Sequence, residues 1–319
     1  MGIKMFPLNY ANTTGSGLIG ALVNGIFYGA AFIVTLQYAR RHARSDPLYV
    51  RVIIGSMILL ATLQTIFINH ETYQKVITNH TDTRGLHAPV EFSLAAKFLC
   101  VYLITFIAQM FFVTRIWTLT ARVSRVTRLA LVPIIGFALL QITTGSAIVH
   151  LEATSATLAE LASHGKWNRV LTAIQGSSTA ACDVAITLTL CHLYRVHRSA
   201  SPRVNSTIDR LVVYAINRAA ATSLCATLAI LFYFFLGGTF YLYVHVLAAP
   251  RYLRLIPAVH ISVVPTYMTG QLYVISAVSV LTSRESWRDI NNATVKDDSE
   301  QGSVTKFDSA TYATAEKQV

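Results

Sequence analysis

Seven long apolar runs, each separated from the next by charged or polar residues, constrain the fold of this chain more than any other feature. A helix needs roughly 20 residues to cross the ~30 Å hydrocarbon layer of a bilayer. The runs have about this length and cover residues 17–39, 50–69, 93–118, 129–149, 170–194, 211–236 and 258–281. They predict an all-α polytopic membrane protein, a seven-transmembrane-helix bundle.

The composition also indicates a bilayer as the solvent. Of 319 residues, 53% are hydrophobic and 13% are charged, which is too little charge for an ordinary soluble domain. The net charge of +11 comes from basic residues between the apolar runs. We therefore predict the lipid bilayer, and not nucleic acid, as the partner of this charge. The cysteines lie inside apolar runs, so no disulfide framework, metal or other cofactor is predicted.

Basic residues set the predicted orientation, because cytoplasmic loops are enriched in Lys and Arg. Alternate loops hold the clusters Arg40, Arg41, Arg44 and Arg51, then Arg122, Arg125 and Arg128, then Arg195, Arg198, Arg203 and Arg210. The predicted organisation is an extracellular N-terminus (1–16), a transmembrane domain (17–288) and a disordered cytoplasmic tail (289–319).

Two glycosylation triplets agree with this orientation. Asn12 and Asn79 begin Asn-x-Ser/Thr triplets on the predicted outer side, whereas those at Asn205 and Asn292 fall inside and would stay unused. The first run is longer than the apolar region of a signal peptide, so it is read as a retained signal anchor. The expected location is the plasma membrane or an endomembrane of the secretory pathway.

Asp183 is the first candidate site residue, because an ionisable side chain in the middle of an apolar run is costly. Helical spacing places it on one face with polar neighbours. These neighbours are Thr172, Gln175, Thr179 and Thr187. The stripe predicts either a pocket for a small molecule, cation or proton, or hydrogen bonds that hold helices together.

Other polar residues in the apolar runs complete the predicted interior. Asn217, Arg218 and Arg115 are candidate partners of Asp183, although the two arginines are also placed to reach the cytoplasmic headgroups. Gln109, Gln141 and Gln271 add amides in the third, fourth and seventh runs. Pro265 with Gly270 predicts a kink in the seventh run.

Two further patterns leave alternatives open. Gly25 and Gly29 have the spacing that lets two helices approach closely, either within the bundle or between two copies of the chain. His70, His150, His245 and His260 cluster at the predicted outer side, but no short spacing fixes a zinc site, and ordinary hydrogen bonds are the simpler interpretation.

No catalytic signature is present. The sequence has no phosphate-binding glycine loop and no Gly-x-Ser-x-Gly turn, so we do not predict an enzyme. No lysine lies between Lys166 and Lys296, which excludes a retinal pigment of the rhodopsin type.

Three stretches of the second half carry a family resemblance. They are 180–186 running on to Leu193-Tyr194-Arg195, then 207–211 leading into Ile216-Asn217 and 222–225, and finally Leu272-Tyr273 through Ser276 to Leu281-Thr282-Ser283-Arg284. This part resembles a family of seven-helix membrane proteins from mushroom-forming (basidiomycete) fungi, catalogued as domain of unknown function 6534. Thr282 departs from the asparagine usual there. The resemblance implies a fungal integral membrane protein and supplies no substrate.

The sequence leaves three functions open. A receptor-like protein fits seven runs, an outer N-terminus, and basic loops and a Ser/Thr-bearing tail that would contact a cytoplasmic partner, although Thr114-Arg115-Ile116-Trp117 differs from the animal G-protein-coupled pattern. A transporter or channel would use Asp183 to bind a cation or proton, although no internal repeat is visible. An intramembrane enzyme ranks third.

Overall fold

A computed structural model describes residues 10–41, 46–78, 89–120, 129–197 and 263–282, with the isolated positions 213, 216, 217 and 220. Most of these residues are helical, as predicted. The helices are α1 (Tyr10–Arg41), α2 (Leu48–Tyr73, extended by a π-helical turn Gln74–Thr78), α3 (Phe92–Thr120), α4 (Leu131–Thr154), α5 (Leu158–Ser163), α6 (Gly165–His197) and α7 (Val263–Thr282).

Four of these helices are long and apolar enough to cross a membrane. They contain the segments Gly17–Arg41, Leu48–Thr78, Phe92–Thr118 and Leu131–Thr154. These segments match the first four predicted runs, with α2 extending nine residues further than expected at its C-terminal end. The fifth and seventh runs fall on α6 and α7. The sixth run lies outside the described residues except at its isolated positions.

Helix α3 lies at the centre of the described bundle. It packs against α2, α4, α6 and α7, while α7 also packs against α1 and α2, and α4 against α6. In the membrane segment of α3, 61% is buried inside the bundle, compared with 22% for α1 and 28% for α2 and for α4. Large apolar side chains of α1, such as Leu22 and Ile26, are instead exposed, as expected for helices that face lipid.

The helix ends define two ends of the bundle. The C-terminal ends of α2 and α4 meet the N-terminal ends of α3 and α7, and we call this the Glu71 end. An antiparallel bridge between Pro89 and Thr157 joins the segments that precede α3 and follow α4, with the Val90 N–H donating to the Ala156 carbonyl at 3.3 Å. The opposite end holds Arg40 and Arg41 in the last turn of α1, and we call it the Arg40 end.

The described half of the bundle nearer the Arg40 end is filled mainly by apolar side chains, and nitrogens of the Arg115 guanidinium are buried there as well. Close van der Waals packing holds the helices together there, because lipid tails are as apolar as these side chains. The fully buried members include Ile54, Met57, Phe111, Phe112, Ile116, Leu131, Ile134, Leu190 and Leu281.

Glycines permit close helix contacts at positions other than those expected. A Cβ atom at Gly145 of α4 would lie 2.7 Å from the Tyr102 ring of α3, and one at Gly270 of α7 would collide with the Gln64 amide of α2. A Cβ atom at Gly25 or Gly29 would meet no atom within 4 Å. No described helix therefore packs closely at these two positions, and both interpretations of the Gly25 and Gly29 spacing stay predictions.

Pro265 lies near the described start of α7 and not in its middle. Pro265 is the third residue of α7 as described, and a proline in a first turn needs no hydrogen-bond donor there. Gly270 permits the contact with Gln64 instead.

Candidate functional site

Four charged side chains are buried in the described part of the chain, and three of them lie at the Glu71 end. Glu71 is 2% exposed, Lys97 1%, Glu152 1% and Asp183 1%. Such residues are expensive in a membrane protein and mark functional positions more often than neutral polar residues do. We define the Glu71 cluster as Glu71, Lys75, Lys97, Glu152 and Tyr267.

Lys97 connects three helices of this cluster. Its ammonium group donates to Glu71 Oε2 of α2 and, at 2.9 Å, to the Tyr267 hydroxyl of α7. The same Nζ lies 4.8 Å from the Tyr267 ring centroid and 5.1 Å from that of Phe98. The aromatic rings replace part of the hydration that burial removes from the ammonium group.

Glu71 accepts from a second lysine. Lys75, one turn further along α2, donates to Glu71 Oε1, and its side chain is 37% exposed. Glu71 therefore has one buried and one half-exposed cation. Burial of its carboxylate is compensated because both oxygens accept charged hydrogen bonds.

Glu152 of α4 has no such partners. Among the described residues neither of its carboxyl oxygens has a hydrogen bond, although the residue is 1% exposed. Lys97 and Glu71 both act on it electrostatically, with opposite sign. The Glu71 cluster thus contains one carboxyl group with two lysines and one with no donor among the described residues.

A network of neutral groups lies next to this cluster, towards the middle of the bundle. Gln271 of α7 donates to Asn24 of α1 at 3.3 Å, and Asn24 donates to Thr65 of α2 at 3.2 Å. Gln64 donates to the Tyr267 carbonyl at 3.0 Å. These bonds hold α1, α2 and α7 together and explain the place of Gln271, which the sequence assigned to the polar interior.

Asp183 is bonded to the last helix. The Tyr273 hydroxyl donates to Asp183 Oδ2 at 2.6 Å, and Tyr273 is fully buried. Both residues lie near the middle of their helices, so the bond joins α6 to α7 in the central layer of the bundle. A charge-assisted hydrogen bond of this kind is among the stronger ones available.

The polar neighbours of Asp183 are bonded along their own helix. Thr179 donates to the Gln175 carbonyl and Thr187 to the Asp183 carbonyl, each at 2.8 Å. The Gln175 amide donates to the Thr179 hydroxyl at 3.3 Å. These threonines and Gln175 are half-buried, and Asp183 is the buried member of the set.

The remaining candidate residues are dispersed. Gln109 and Gln141 are fully buried, and their amides have no hydrogen bond within the described residues. Asn217 is exposed, and the Arg115 guanidinium lies 4.9 Å from the Phe111 ring centroid.

The structure says little about the predicted glycosylation sites and Arg218. Asn12 falls in the first turn of α1, while Asn79 and Arg218 lie outside the described residues.

The histidines are likewise apart. His70 shares a hydrogen bond of 3.3 Å with Ser93, and His150 is exposed. His245 and His260 lie outside the described residues. Within the described ranges, no three His, Cys, Asp or Glu side chains are grouped so that they could hold a metal ion.

Sequence reasoning missed the Glu71 cluster. Lys97 falls inside the third apolar run, where the same argument that selected Asp183 applies to it, and Glu71 and Lys75 have the four-residue spacing of a helical ion pair. The predicted topology also places all of these residues at one end. The hydrogen bond from Tyr273 to Asp183 had no such signal, because tyrosine is common in apolar runs.

A family model described as "Family of unknown function (DUF6534)" matches residues 179–286. The matched stretch contains Asp183 and Tyr273, whereas Glu71, Lys97 and Glu152 precede it. The predicted resemblance to a domain of unknown function is therefore confirmed for this part of the chain. Comparisons with curated proteins and with solved structures give no match.

Proposed function

We propose that this chain is a receptor-like sensor of a plasma or secretory-pathway membrane, with seven spans, an outer N-terminus and a cytoplasmic tail. The Glu71 end faces outwards in this proposal, and a small molecule or ion binds there. The basic loops and the tail contact a cytoplasmic partner.

The uneven distribution of buried charge carries the proposal. Among the described residues, three of the four buried charged side chains lie at the Glu71 end, while the other half of the described bundle is packed mainly with apolar side chains such as Ile54, Phe112 and Ile134. A site that is polar on one side and closed by a packed core on the other suits binding from one side of the membrane. A transport path needs polar groups on both sides.

The arrangement of basic residues supports the orientation. Arg40 and Arg41 end α1 on the side opposite Glu71, and Arg51 lies in the first turn of α2. All three are exposed. Cytoplasmic ends of membrane helices are enriched in such residues, so the Arg40 end is the cytoplasmic one in this proposal.

A transporter or channel is the second candidate, because Asp183 is buried in the central layer of the bundle. A carboxylate at that depth is a common cation or proton site in transport proteins. Flux through reconstituted liposomes separates the two candidates. Proton or cation flux above that of empty liposomes, abolished by Asp183→Asn, would favour transport.

A ligand screen tests the sensor. The full chain in lipid nanodiscs is melted with a panel of small polar molecules and ions, together with the variants Glu71→Gln and Asp183→Asn. If the chain is a sensor that binds its ligand at the Glu71 end, we expect a ligand that raises the Tm of the wild type and of Asp183→Asn. The same ligand should leave the Tm of Glu71→Gln unchanged. Ligands that stabilise Glu71→Gln as well as wild type but not Asp183→Asn would move the site to the central layer and contradict the proposal.

A further inference from the structure

The two carboxyl groups of the Glu71 cluster differ in the hydrogen-bond donors that contact them. Glu71 accepts from both Lys75 and Lys97, whereas Glu152 accepts from no described donor. With two lysines and two glutamates, the cluster has no net charge if every group is ionised. The arrangement of partners instead suits one ionised glutamate, Glu71, and one neutral glutamate, Glu152.

Desolvation supports the neutral form of Glu152. A buried carboxylate without hydrogen-bond donors loses its hydration and gains nothing in return, whereas a neutral carboxylic acid pays a much smaller cost. The described cation that stabilises the anion electrostatically is Lys97, whose ammonium group is already bonded to Glu71 and Tyr267.

We propose that Glu152 is a reversible proton-binding site and that Lys97 changes partner when the proton leaves. Glu152 releases its proton to the aqueous phase at the Glu71 end and becomes a carboxylate. The Lys97 ammonium group, which keeps its own protons, then moves from Glu71 towards Glu152. The proton is thereby the ligand of this site. The proton site stands without the proposed sensor, and only the transmission of a signal by proton release rests on that proposed function.

The surrounding groups fit this exchange. Lys75 stays on Glu71, so that carboxylate keeps a cation after Lys97 leaves. The other described titratable groups near the region are Glu91, which precedes α3 and acts electrostatically on Lys75, Tyr102 of α3 and Tyr267 of α7. His150 on α4 and His164, which precedes α6, are exposed. The described side chains in the first turns of α6, Trp167, Asn168 and Val170, do not titrate.

The exchange would loosen a contact between helices. Lys97 bonds to the Tyr267 hydroxyl at 2.9 Å, so its movement towards α4 removes a bond between α3 and α7. Helix α3 continues to the Arg40 end, where Trp117 is 55% exposed. Loss of the bond to α7 would allow α3 to tilt, and such a tilt would change the surroundings of Trp117.

Infrared difference spectroscopy between acidic and alkaline pH tests the proton site on the full chain in nanodiscs. A protonated carboxyl group gives a C=O stretching band that ionisation removes. We expect such a band in the wild type at acidic and neutral pH, its loss at alkaline pH, and its absence in Glu152→Gln. Glu160→Gln, which changes an exposed carboxyl group of α5, serves as the control and keeps the band.

A second variant, Glu152→Asp, keeps the proposal testable if Glu152→Gln does not fold. Glu152→Asp keeps the acid and is expected to shift the frequency and the midpoint of the band. A wild-type spectrum with no protonated-carboxyl band at any pH, or a band that neither Glu152 variant changes, would overturn the proposal.

Tryptophan fluorescence separates this inference from the proposed function. In a Trp167→Phe, Trp287→Phe background, Trp117 emission is recorded over the same pH range. We expect a shift that follows the infrared titration and that Glu152→Gln abolishes. A titrating band without a response of Trp117 would keep the proton site and contradict its use in sensing across the membrane.

Discussion

At the scale of single residues, Lys97 and Lys75 provide a matched comparison because both donate to Glu71. Lys97 has a side chain 2% exposed and Lys75 one 37% exposed. Replacing Lys97 with Met breaks a buried pair and leaves the Tyr267 hydroxyl without its donor, which we expect to cost about 3 kcal/mol. Lys75→Met removes a pair screened by solvent and should cost below about 1 kcal/mol.

The measurement is the apparent Tm of each variant in the same detergent. Equal losses for the two variants would mean that burial does not decide the strength of these ion pairs. A Lys97→Met variant more stable than wild type would show that the cluster is maintained for function at the expense of stability.

The bond between Tyr273 and Asp183 gives a second prediction at this scale. Tyr273→Phe removes the hydroxyl that donates to a buried acid, and we expect a loss of about 1.5–3 kcal/mol. The control is Tyr28→Phe, which removes a half-buried hydroxyl bonded to Thr62 at 3.0 Å and should cost about 1 kcal/mol. Denaturation of both variants in mixed micelles tests the order, and a larger loss for Tyr28→Phe would refute it.

Single residues were only partly predictable from the sequence. Asp183 and Gln271 were selected because a polar group in an apolar run must be buried inside the bundle, and both are buried. Their partners depend on which helices are neighbours, and the spacing of residues along one chain does not contain that information. Tyr273 and Asn24 therefore appear only in three dimensions.

At the scale of helices, two glycines of α4 form a matched pair. A Cβ atom added at Gly145 would lie 2.7 Å from the Tyr102 ring. A Cβ atom added at Gly136 would meet nothing within 4 Å. Gly145→Ala must displace the Tyr102 ring or push α3 and α4 apart, and we expect it to cost about 1–3 kcal/mol. Gly136→Ala should stabilise the helix by up to about 1 kcal/mol, since alanine favours helix more than glycine does.

Thermal unfolding of the two variants gives the result directly. If Gly145→Ala is as stable as Gly136→Ala, then Tyr102 moves without cost and the α3–α4 contact is not tightly packed. Gly270→Ala extends the test to α7, where the added methyl group would displace the Gln64 amide from its bond to the Tyr267 carbonyl.

The helices themselves were the most predictable level. Apolar length alone identified α1 to α4, because the bilayer sets the length of a spanning helix. The excess length of α2 was not predicted, because the second apolar run was ended at residue 69, before the charged side chains. Glu71 and Lys75 can continue the helix because their charges are paired with each other and Glu71 also with Lys97.

At the scale of the whole molecule, the proposed topology predicts which loops reach each side of the membrane. Single cysteines are introduced as Thr83→Cys between α2 and α3 and as Ser124→Cys between α3 and α4. With the Glu71 end outside, a membrane-impermeant maleimide should label Thr83→Cys on intact cells and Ser124→Cys only after permeabilisation. Labelling of Ser124→Cys alone on intact cells would reverse the orientation.

The pairing of Lys97 with Glu71 also bears on how the chain enters its membrane. A lone lysine in an inserting helix is unfavourable by about 2.5–3.5 kcal/mol at the helix centre, and less nearer an end. Because Glu71 lies on α2 and Lys97 on α3 at the same end, the two consecutive helices can enter the bilayer as a hairpin whose charges neutralise each other. Tyr267 belongs to α7, about 170 residues further along the chain, so it joins this pair only after α2 and α3 have been made. The bond between Lys97 and Tyr267 would thus close the bundle around a hairpin that is already inserted.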